Sequence, residues 1–283
     1  MKKTLNIAGT LLNLATPQVM GILNITPDSF YAGSRFDSVE AALQQAAAML
    51  AAGATLLDVG GHSTRPGAEA VSEAEELNRV LPVVEAIARQ LPEAIISIDT
   101  FRASVARQAV GAGAHLINDI SGGNLDENMF QTVAHLDIPY VLMHSRGTPQ
   151  TMQQLTHYDN LVVDIIFELQ QKIAQLRALH VKDIIVDLGF GFAKTAAQNF
   201  ELLGQLEAFA VLDCPLLVGV SRKSMIWRTL NIKSEDALNG TTVLNTLALL
   251  KGASVLRVHD VKEAVEAVKL LAQTKTISND LFS

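Results

Sequence analysis

The sequence predicts an α/β fold: a single-domain (β/α)8 TIM barrel with a short N-terminal β-hairpin. Eight short apolar segments rich in β-branched residues recur along the chain, and segments with helical periodicity lie between them. Alternating strands and helices indicate a parallel sheet with right-handed crossovers. Eight such units within 283 residues most naturally close into a barrel.

The elements follow in order along residues 1–283. Polar residues interrupt the apolar run of "MKKTLNIAGTLLNLA", so we favour a hairpin around Gly9 and Thr10 in residues 1–17 over a secretory signal. The barrel is predicted over 18–276 and a C-terminal tail over 277–283. Its eight strands are predicted at 18–24, 55–61, 94–100, 115–121, 140–145, 183–189, 216–222 and 254–260.

Three segments repeat the step from a helix end to a strand. "AAGATLLDVGG", "VGAGAHLINDISGG" and "LKGASVLRVHD" each pass through Gly-Ala and one further residue into an apolar strand. Gly53, Gly113 and Gly252 are therefore predicted to follow helices with left-handed backbone angles.

Composition excludes several classes of protein. The formal net charge of -7 argues against a general nucleic-acid binder. The single cysteine, Cys214, excludes an internal disulfide and a Cys-rich metal site. No apolar run reaches the roughly 18 residues of a spanning helix. We therefore expect no nucleic-acid partner, no membrane partner and a cytoplasmic location.

Polar side chains stand at the carboxyl ends of the predicted strands, where barrels of this kind carry their active sites. Taken singly, an Asp or Asn at such a position is commonly a helix cap or a turn residue. Taken together they predict one site, because one face of the barrel receives nearly all of them. The set comprises Asn24, Asp58, Asp99, Asn118, Met143, His144, Asp187, Ser221, Arg222, Lys223, Arg257 and His259.

The cations of this set predict a negatively charged ligand. Arg257 and His259 are two apart and so leave their strand on one side, and Arg222 and Lys223 follow the neighbouring strand. The ends of strands seven and eight often hold phosphate in such barrels. In "GGHSTRPGA" (60–68) Arg65 adds a planar fork suited to phosphate or carboxylate.

A second loop, "LGFGFAK" (188–194), predicts a surface for a flat ligand. We interpret Phe190 and Phe192 as exposed rings in this loop. Its similarity to a phosphate loop is weak, because the Walker spacing is missing.

An ordered set of motifs covers nearly the whole chain: "MGILNITPDSF", "GGHSTRPGA", "SIDT", "LINDISG", "LMHSRGTPQTMQ", "DLGFGFAKT", "GVSRKSM" and "RVHD". Together they resemble the signatures of the dihydropteroate synthase family. The resemblance implies condensation of 6-hydroxymethyl-7,8-dihydropterin diphosphate with p-aminobenzoate to 7,8-dihydropteroate and pyrophosphate. It also implies a TIM barrel, Mg²⁺, a homodimer and sensitivity to sulfonamides.

The resemblance assigns the site by position. It implies a pterin pocket of Asp99, Asn118, Met143, Asp187 and Lys223. It implies diphosphate contacts from Asn24, Thr64, Arg65, Arg257 and His259, with Asn24 also as the metal ligand. It implies a p-aminobenzoate site of Phe30, Ser63, Arg65, Pro66, Phe192 and Ser221. Asn24, Lys223, Arg257 and His259 would be catalytic. Asp58 is a residue behind the pterin pocket or a structural one, and Arg222 is partly structural.

The chain departs from the usual motifs of that family at three places. Where members read "SFSDGG" it has Tyr31 and Ala32, so a loop carboxylate is missing. It has His62 in place of the Glu that usually follows the paired glycines. It has Leu188 and Ala193 where members read "DPGFGFGK". Loss of the loop carboxylate is expected to weaken metal handling or stabilisation of a developing cation.

Two other functions fit part of the pattern. A methyltetrahydrofolate-binding domain of a corrinoid methyltransferase would share the two Asp residues and the Asn, but would not need "STRPG", "SRKS" and "RVH". A non-catalytic pterin-binding relative would keep the pocket without turnover.

Overall fold

A computed structural model describes residues 3–25, 35–62 and 71–280, with side chains for all of these except 35–38 and 275–280. Within them, eight parallel strands form a closed barrel in the order β10-β3-β4-β5-β6-β7-β8-β9. The strands are β3 Gln18–Asn24, β4 Leu56–Gly60, β5 Ile95–Asp99, β6 Leu116–Asp119, β7 Tyr140–Met143, β8 Ile184–Asp187, β9 Leu216–Val218 and β10 Val255–Val258. All eight predicted strands, and the predicted barrel, are confirmed.

Helices connect the strands and cover the outside of the barrel. They are α1 Arg35–Ala51, α2 Glu73–Gln90, α3 Ala103–Gly111, α4 Met129–Leu136, α5 Leu161–Ala178, α6 Ala196–Gly204, α7 Ser224–Leu230, α8 Leu238–Leu250 and α9 Val261–Asp280. Short 3-10 helices lie at Met152–Gln154, Leu206–Leu212 and Ser234–Asp236. The last helix continues to Asp280, into residues 277–283 that we expected to form a C-terminal tail.

The predicted turns at helix ends are also confirmed. Gly53, Gly113 and Gly252 have φ angles of 100°, 117° and 96°, which glycine adopts at little cost because it has no Cβ. Each glycine lets the chain leave a helix and enter the next strand without a long loop.

The predicted hairpin closes one end of the barrel. Strands β1 Thr4–Ile7 and β2 Thr10–Asn13 pair antiparallel, with Ile7 opposite Thr10. Leu5 is fully buried and belongs to a small apolar cluster with barrel residues. The barrel members of this cluster are Met20, Leu56, Leu116, Val141, Ile185, Leu217 and Val255. The hairpin therefore seals the end of the barrel at which its strands begin.

Period-two alternation then decides what faces the barrel interior. In β4, Leu56 belongs to the inner cluster and Leu57 to the larger core under the helices, so Asp58 faces inward again. The same alternation turns Ser97 and Asn118 inward, two residues after Ile95 and Leu116. The interior thus has an apolar floor and a polar layer above it.

Among the described helices, none combines the length and the apolar character needed to cross a membrane.

Candidate active site

Asp58 is the centre of a buried hydrogen-bond network in the polar layer. Its Oδ1 accepts from Ser97 Oγ at 2.5 Å, and its Oδ2 accepts from Asn118 Nδ2 at 2.9 Å. Arg257 Nε donates to the same Oδ2 at 2.6 Å. Asp58, Ser97 and Asn118 are all buried. Asp58 therefore orients two functional candidates, Asn118 and Arg257, from behind.

Arg257 joins two carboxylates of neighbouring strands, Asp58 within β4 and Asp99 at the end of β5. Its Nη2 donates to Asp99 Oδ2 at 2.7 Å while its Nε is held by Asp58. Burial raises the pKa of Asp99 to about 7, against the opposing charge of Arg257 and with a smaller contribution from Asp58. One guanidinium thus faces two acidic groups, and burial makes a protonated Asp99 accessible near neutral pH.

Asp187 and Lys223 form the other half of the mouth. Asp187 is buried, and its Oδ1 accepts from the backbone N–H of Gly189 at 2.8 Å. Burial raises the pKa of Asp187, while Lys223 opposes that shift. Burial lowers the pKa of Lys223 to about 8, and Asp187 is the main opposing charge. The two groups therefore form an attractive pair in a poorly hydrated place.

The loop after β8 lies against Lys223. Lys223 Nζ donates to the Phe190 carbonyl at 2.5 Å and lies 5.0 Å from the centroid of the Phe192 ring. Phe192 is half-buried, as a wall for a flat ligand requires. The expectation that Phe190 is exposed was wrong: its side chain is fully buried in the core under the helices. Only one ring of this loop is available to a ligand.

Ser221 and His259 meet at the ends of β9 and β10. Ser221 Oγ lies 3.0 Å from His259 Nδ1 and accepts from the His259 backbone N–H at 3.2 Å. Ser221 is buried and His259 is exposed. Met143 ends β7 beside Asp187, and Asn24 ends β3, half-buried, beside Gly60. All of these side chains belong to the end of the barrel that carries Asp99 and Asp187.

Arg222 does not face the mouth. Its Nε and Nη2 donate to the Asp260 carboxylate at 2.9 and 2.7 Å, and its Nη1 donates to the Glu235 carbonyl at 2.7 Å. Its backbone is left-handed, with a φ of 53°. These contacts support a structural role for Arg222, which was one part of its expected role. Of the two cations in "SRK", Lys223 is the one that lies at the mouth.

Five predicted site residues lie outside the described residues: Phe30, Ser63, Thr64, Arg65 and Pro66. Tyr31 and Ala32 lie outside them as well. His62, at the edge of the described part, packs edge-on against Phe101 with ring centroids 5.3 Å apart. Burial lowers the pKa of His62, with Glu76 opposing.

The described residues contain no group of three or more His, Cys, Asp or Glu side chains arranged to hold a metal ion. Asn24 offers one amide oxygen at the mouth. A single protein oxygen suits Mg²⁺, which keeps several waters and takes further ligands from substrate phosphates. The residues present therefore fit an ion that depends on a diphosphate ligand.

The arrangement suits a ligand with a polar flat end and a negative tail. Asp99 and Asp187 can accept N–H bonds from a heterocycle, and the Asn118 amide and the Lys223 ammonium can contact its other edge. Arg257 and His259 supply positive or donor groups beside them. The chemistry indicated is binding and charge stabilisation, because no nucleophile paired with a base is needed to explain these contacts.

Comparison with known proteins decides the family. The family described as "Pterin binding enzyme" matches residues 20–259. Curated dihydropteroate synthases of Escherichia coli K12 and Synechocystis are 44% and 46% identical, over 94% and 89% of this chain and 94% and 88% of their own lengths. The chain belongs to the dihydropteroate synthase family.

Solved structures of the family agree in fold. The Yersinia pestis dihydropteroate synthase in complex with a sulfonamide drug has a TM-score of 0.90 at 44% identity, covering 96% of this chain and 99% of that one. The Xanthomonas albilineans enzyme with 4-aminobenzoic acid has a TM-score of 0.89 at 38% identity, covering 97% and 99%. The same enzyme in complex with 7,8-dihydropteroate has a TM-score of 0.86 at 36% identity, covering 96% and 98%.

The chain is accordingly a pterinylmethyl transferase with dihydropteroate synthase activity, as its motifs imply.

Two residues of this region were not identified from the sequence. Ser97 lies inside an apolar strand, although its spacing of two from Asp99 places both side chains on the same face. The sequence also indicated no role for Lys194, which lies behind the loop that carries Phe192. A lysine at the end of a Gly-rich loop gives no signal of burial.

Proposed function

We propose that the mouth of the barrel binds the dihydropterin through Asp99, Asn118, Met143, Asp187 and Lys223. The observation that carries this proposal is the inward polar layer, in which buried carboxylates and an amide end separate strands within a single charge network. A heterocycle with adjacent ring and exocyclic N–H groups would find acceptors in the carboxylates. Met143 would supply an apolar contact to its face.

The diphosphate would lie over Arg257 and His259, with Thr64, Arg65 and Asn24 completing its contacts. Within the described part of the chain, Arg257 uses Nε and Nη2 to hold carboxylates, which leaves its Nη1 side for a phosphate oxygen. As the bond from the pterin CH₂ to the diphosphate oxygen breaks, charge accumulates on the leaving group. Cationic donors fixed in place stabilise that charge without reorganising.

The aryl amine then forms the new C–N bond. Its nitrogen attacks the CH₂ carbon, pyrophosphate leaves with the bonding electron pair, and the amine nitrogen loses one proton. The p-aminobenzoate ring would lie near Phe192 and Ser221, with Phe30, Ser63, Arg65 and Pro66 around it. Half-buried Phe192 and the Lys223 ammonium beside it are the described features that support this placement.

Mg²⁺ would be held by Asn24 together with substrate phosphates. When bound, it would neutralise charge on the leaving diphosphate.

We also propose a homodimer, because Val243 and Leu250 are exposed two turns apart on one face of α8. We further propose that residues 1–283 act as one domain in the cytoplasm and that the site binds sulfonamides, as the Yersinia pestis relative does.

Pyrophosphate release that requires both substrates tests this function. The purified protein should release pyrophosphate only when the dihydropterin diphosphate and p-aminobenzoate are both present. Arg257→Ala should weaken binding of the diphosphate substrate far more than binding of free 6-hydroxymethyl-dihydropterin. Arg228, an exposed arginine on α7 that stacks on Trp227, provides the matched control, and Arg228→Ala should change neither affinity.

The rival functions give different results in this assay. Pyrophosphate release without p-aminobenzoate, or none at all, would exclude the synthase reaction. Equal losses for both pterin ligands in Arg257→Ala would show that Arg257 acts only by holding the network.

A further inference from the structure

A second group of titratable side chains lies behind the mouth and has no part in the contacts assigned so far. Lys194 Nζ lies 3.0 Å from His144 Nδ1, and His144 Nε2 lies 3.0 Å from Glu168 Oε2. Arg146 Nε donates to the other oxygen of Glu168 at 3.0 Å. Lys194 and His144 are each only 3% exposed, whereas Glu168 is 34% exposed. The group thus runs from the protein interior to the surface.

Lys194 is surrounded by acceptors. Besides His144, its Nζ donates to the backbone carbonyl of Gly189 at 3.1 Å and to that of Phe192 at 3.0 Å. An ammonium has three N–H donors and no lone pair, so three acceptors match the charged form. A neutral amine has only two donors and would leave one of these buried carbonyl or imidazole acceptors unpaired.

His144 is held in one tautomer by its two neighbours. Its Nδ1 accepts from Lys194, so its proton lies on Nε2 and points at the Glu168 carboxylate. The opposite tautomer would place an imidazole lone pair against that carboxylate. Burial and the charge of Lys194 lower the pKa of His144 to about 4. Burial lowers the pKa of Lys194 to about 7, and Asp187 opposes this shift more than any other group.

The loop that Lys194 contacts contains three residues with left-handed backbone angles. Gly189, Gly191 and Ala193 have φ angles of 65°, 83° and 49°. A side chain at Gly189 would collide with the carbonyl oxygen of His144. Left-handed angles at alternate positions turn the loop carbonyls inward, toward Lys194 on one side and Lys223 on the other. Two lysines therefore fix the segment between Asp187 and Lys194.

We propose that Lys194, oriented by His144 and Glu168, is a positioning residue for the p-aminobenzoate half of the reaction. Its ammonium holds the Gly189 and Phe192 carbonyls and so keeps the Phe192 ring against Lys223, where it forms one wall of the amine site. The inference rests on the proposed placement of p-aminobenzoate near Phe192. Two pterin-pocket residues also contact this loop, Asp187 through the Gly189 N–H and Lys223 through the Phe190 carbonyl. Neither contact uses the Gly189 or Phe192 carbonyl that Lys194 holds, so pterin binding should depend on Lys194 much less.

The outer end of the group gives a way to perturb it without touching the mouth. Glu168 borders a cleft of about 380 Å³ that is also lined by Asn124, Arg146 and Lys172. Burial alone would raise the pKa of Glu168, but the hydrogen bonds from His144 and Arg146 outweigh it and lower the pKa to about 2. Glu168→Gln removes this charge, so the proton held by Lys194 should be lost at lower pH.

Calorimetric binding of p-aminobenzoate provides the test, because it needs no turnover. The protein would be saturated with 6-hydroxymethyl-dihydropterin and pyrophosphate, which cannot react with the amine. Lys194→Met should weaken p-aminobenzoate binding about tenfold, the effect of losing roughly one charge-assisted hydrogen bond, while the affinity for the pterin changes less than about threefold. The pH midpoint for p-aminobenzoate binding should fall in Glu168→Gln.

Lys172 provides the matched control. It is a half-buried lysine that donates to the Gly122 carbonyl at 2.7 Å and to Asn124 Oδ1 at 2.9 Å, in the loop after β6. Lys172→Met should leave p-aminobenzoate affinity unchanged.

The inference would be overturned by equal losses of both ligands in Lys194→Met, or by an unchanged pH midpoint in Glu168→Gln. The pH comparison must consider the charges near Lys194, namely Asp187, Lys223, Glu168 and Arg146. Wild-type protein that binds both ligands but releases no pyrophosphate would contradict the proposed function and not this inference.

Discussion

The buried network around Asp58 predicts that removing its hydrogen bonds will cost more stability than removing its charge. In Asp58→Ala the Ser97 hydroxyl and the Asn118 amide, both buried, lose their acceptor, whereas Arg257 keeps Asp99. Each orphaned buried donor costs about 1–3 kcal/mol, so the free energy of unfolding should fall by roughly 3–5 kcal/mol. That corresponds to a melting temperature lower by on the order of 10 °C.

Asp58→Asn should lower the free energy of unfolding much less, by about 1–2 kcal/mol. An Asn side chain can turn its oxygen toward Asn118 and Arg257, and its amide can donate to Ser97, because a hydroxyl accepts as well as donates. Each of the three contacts can then re-form, and what is lost is the charge and the acceptor for the Ser97 hydroxyl proton. Pterin affinity should accordingly drop in Asp58→Ala, where Asn118 loses its orientation, and fall less in Asp58→Asn.

Thermal unfolding followed by circular dichroism, with calorimetric binding of the pterin, measures both effects. Asp137→Asn is the matched control, because Asp137 is 61% exposed and pairs with the exposed Lys182 at the surface. It should change stability by well under 1 kcal/mol. Equal destabilisation by Asp58→Ala and Asp58→Asn would refute this account, since it would make charge and not hydrogen bonding the main contribution.

Three further predictions concern single residues. Asp187→Ala should leave the barrel folded but abolish measurable pterin binding, and unchanged affinity by calorimetry would contradict the assignment. His144 is neutral in the folded protein with its pKa lowered to about 4, so stability should be lost as pH falls from about 6.5 to 4, by up to roughly 3 kcal/mol; His144→Gln should flatten denaturation midpoints over that pH range. Ala193→Gly should be nearly neutral in urea unfolding, because relief of about 1 kcal/mol of left-handed backbone strain offsets about 0.8 kcal/mol of lost methyl burial; a loss above about 2 kcal/mol would contradict this balance.

The sequence predicted the barrel because its signals are local. Short apolar segments rich in β-branched residues mark all eight strands, a glycine after a helix marks three of the units, and Gly53 and Gly113 behave as their positions predict. Asp99, Asn118 and Asp187 were identifiable because each lies at or next to the carboxyl end of an apolar strand.

The remaining features depend on partners distant in sequence. The sequence alone does not show whether Asp58 is structural or functional, because its ion-pair partner Arg257 belongs to the last strand, 199 residues away. Phe190 and Phe192 look alike in the sequence, yet the left-handed Gly191 between them sends one into the core and leaves the other at the mouth. Arg222 and Lys223 likewise diverge because Arg222 has a left-handed backbone and a carboxylate partner, Asp260.

The hairpin at the sealed end of the barrel has a consequence for synthesis on the ribosome. Leu5 is synthesised before most of the apolar surface that covers it, which includes Met20 and, about 250 residues later, Val255. At about 5–20 residues per second, the hairpin waits tens of seconds before its binding surface is complete. The hairpin carries the polar Asn6 next to Leu5 and the polar Asn13 next to its partner Leu12, which limits the apolar surface exposed during that delay. The hairpin residues thus reach their native contacts long after they are synthesised.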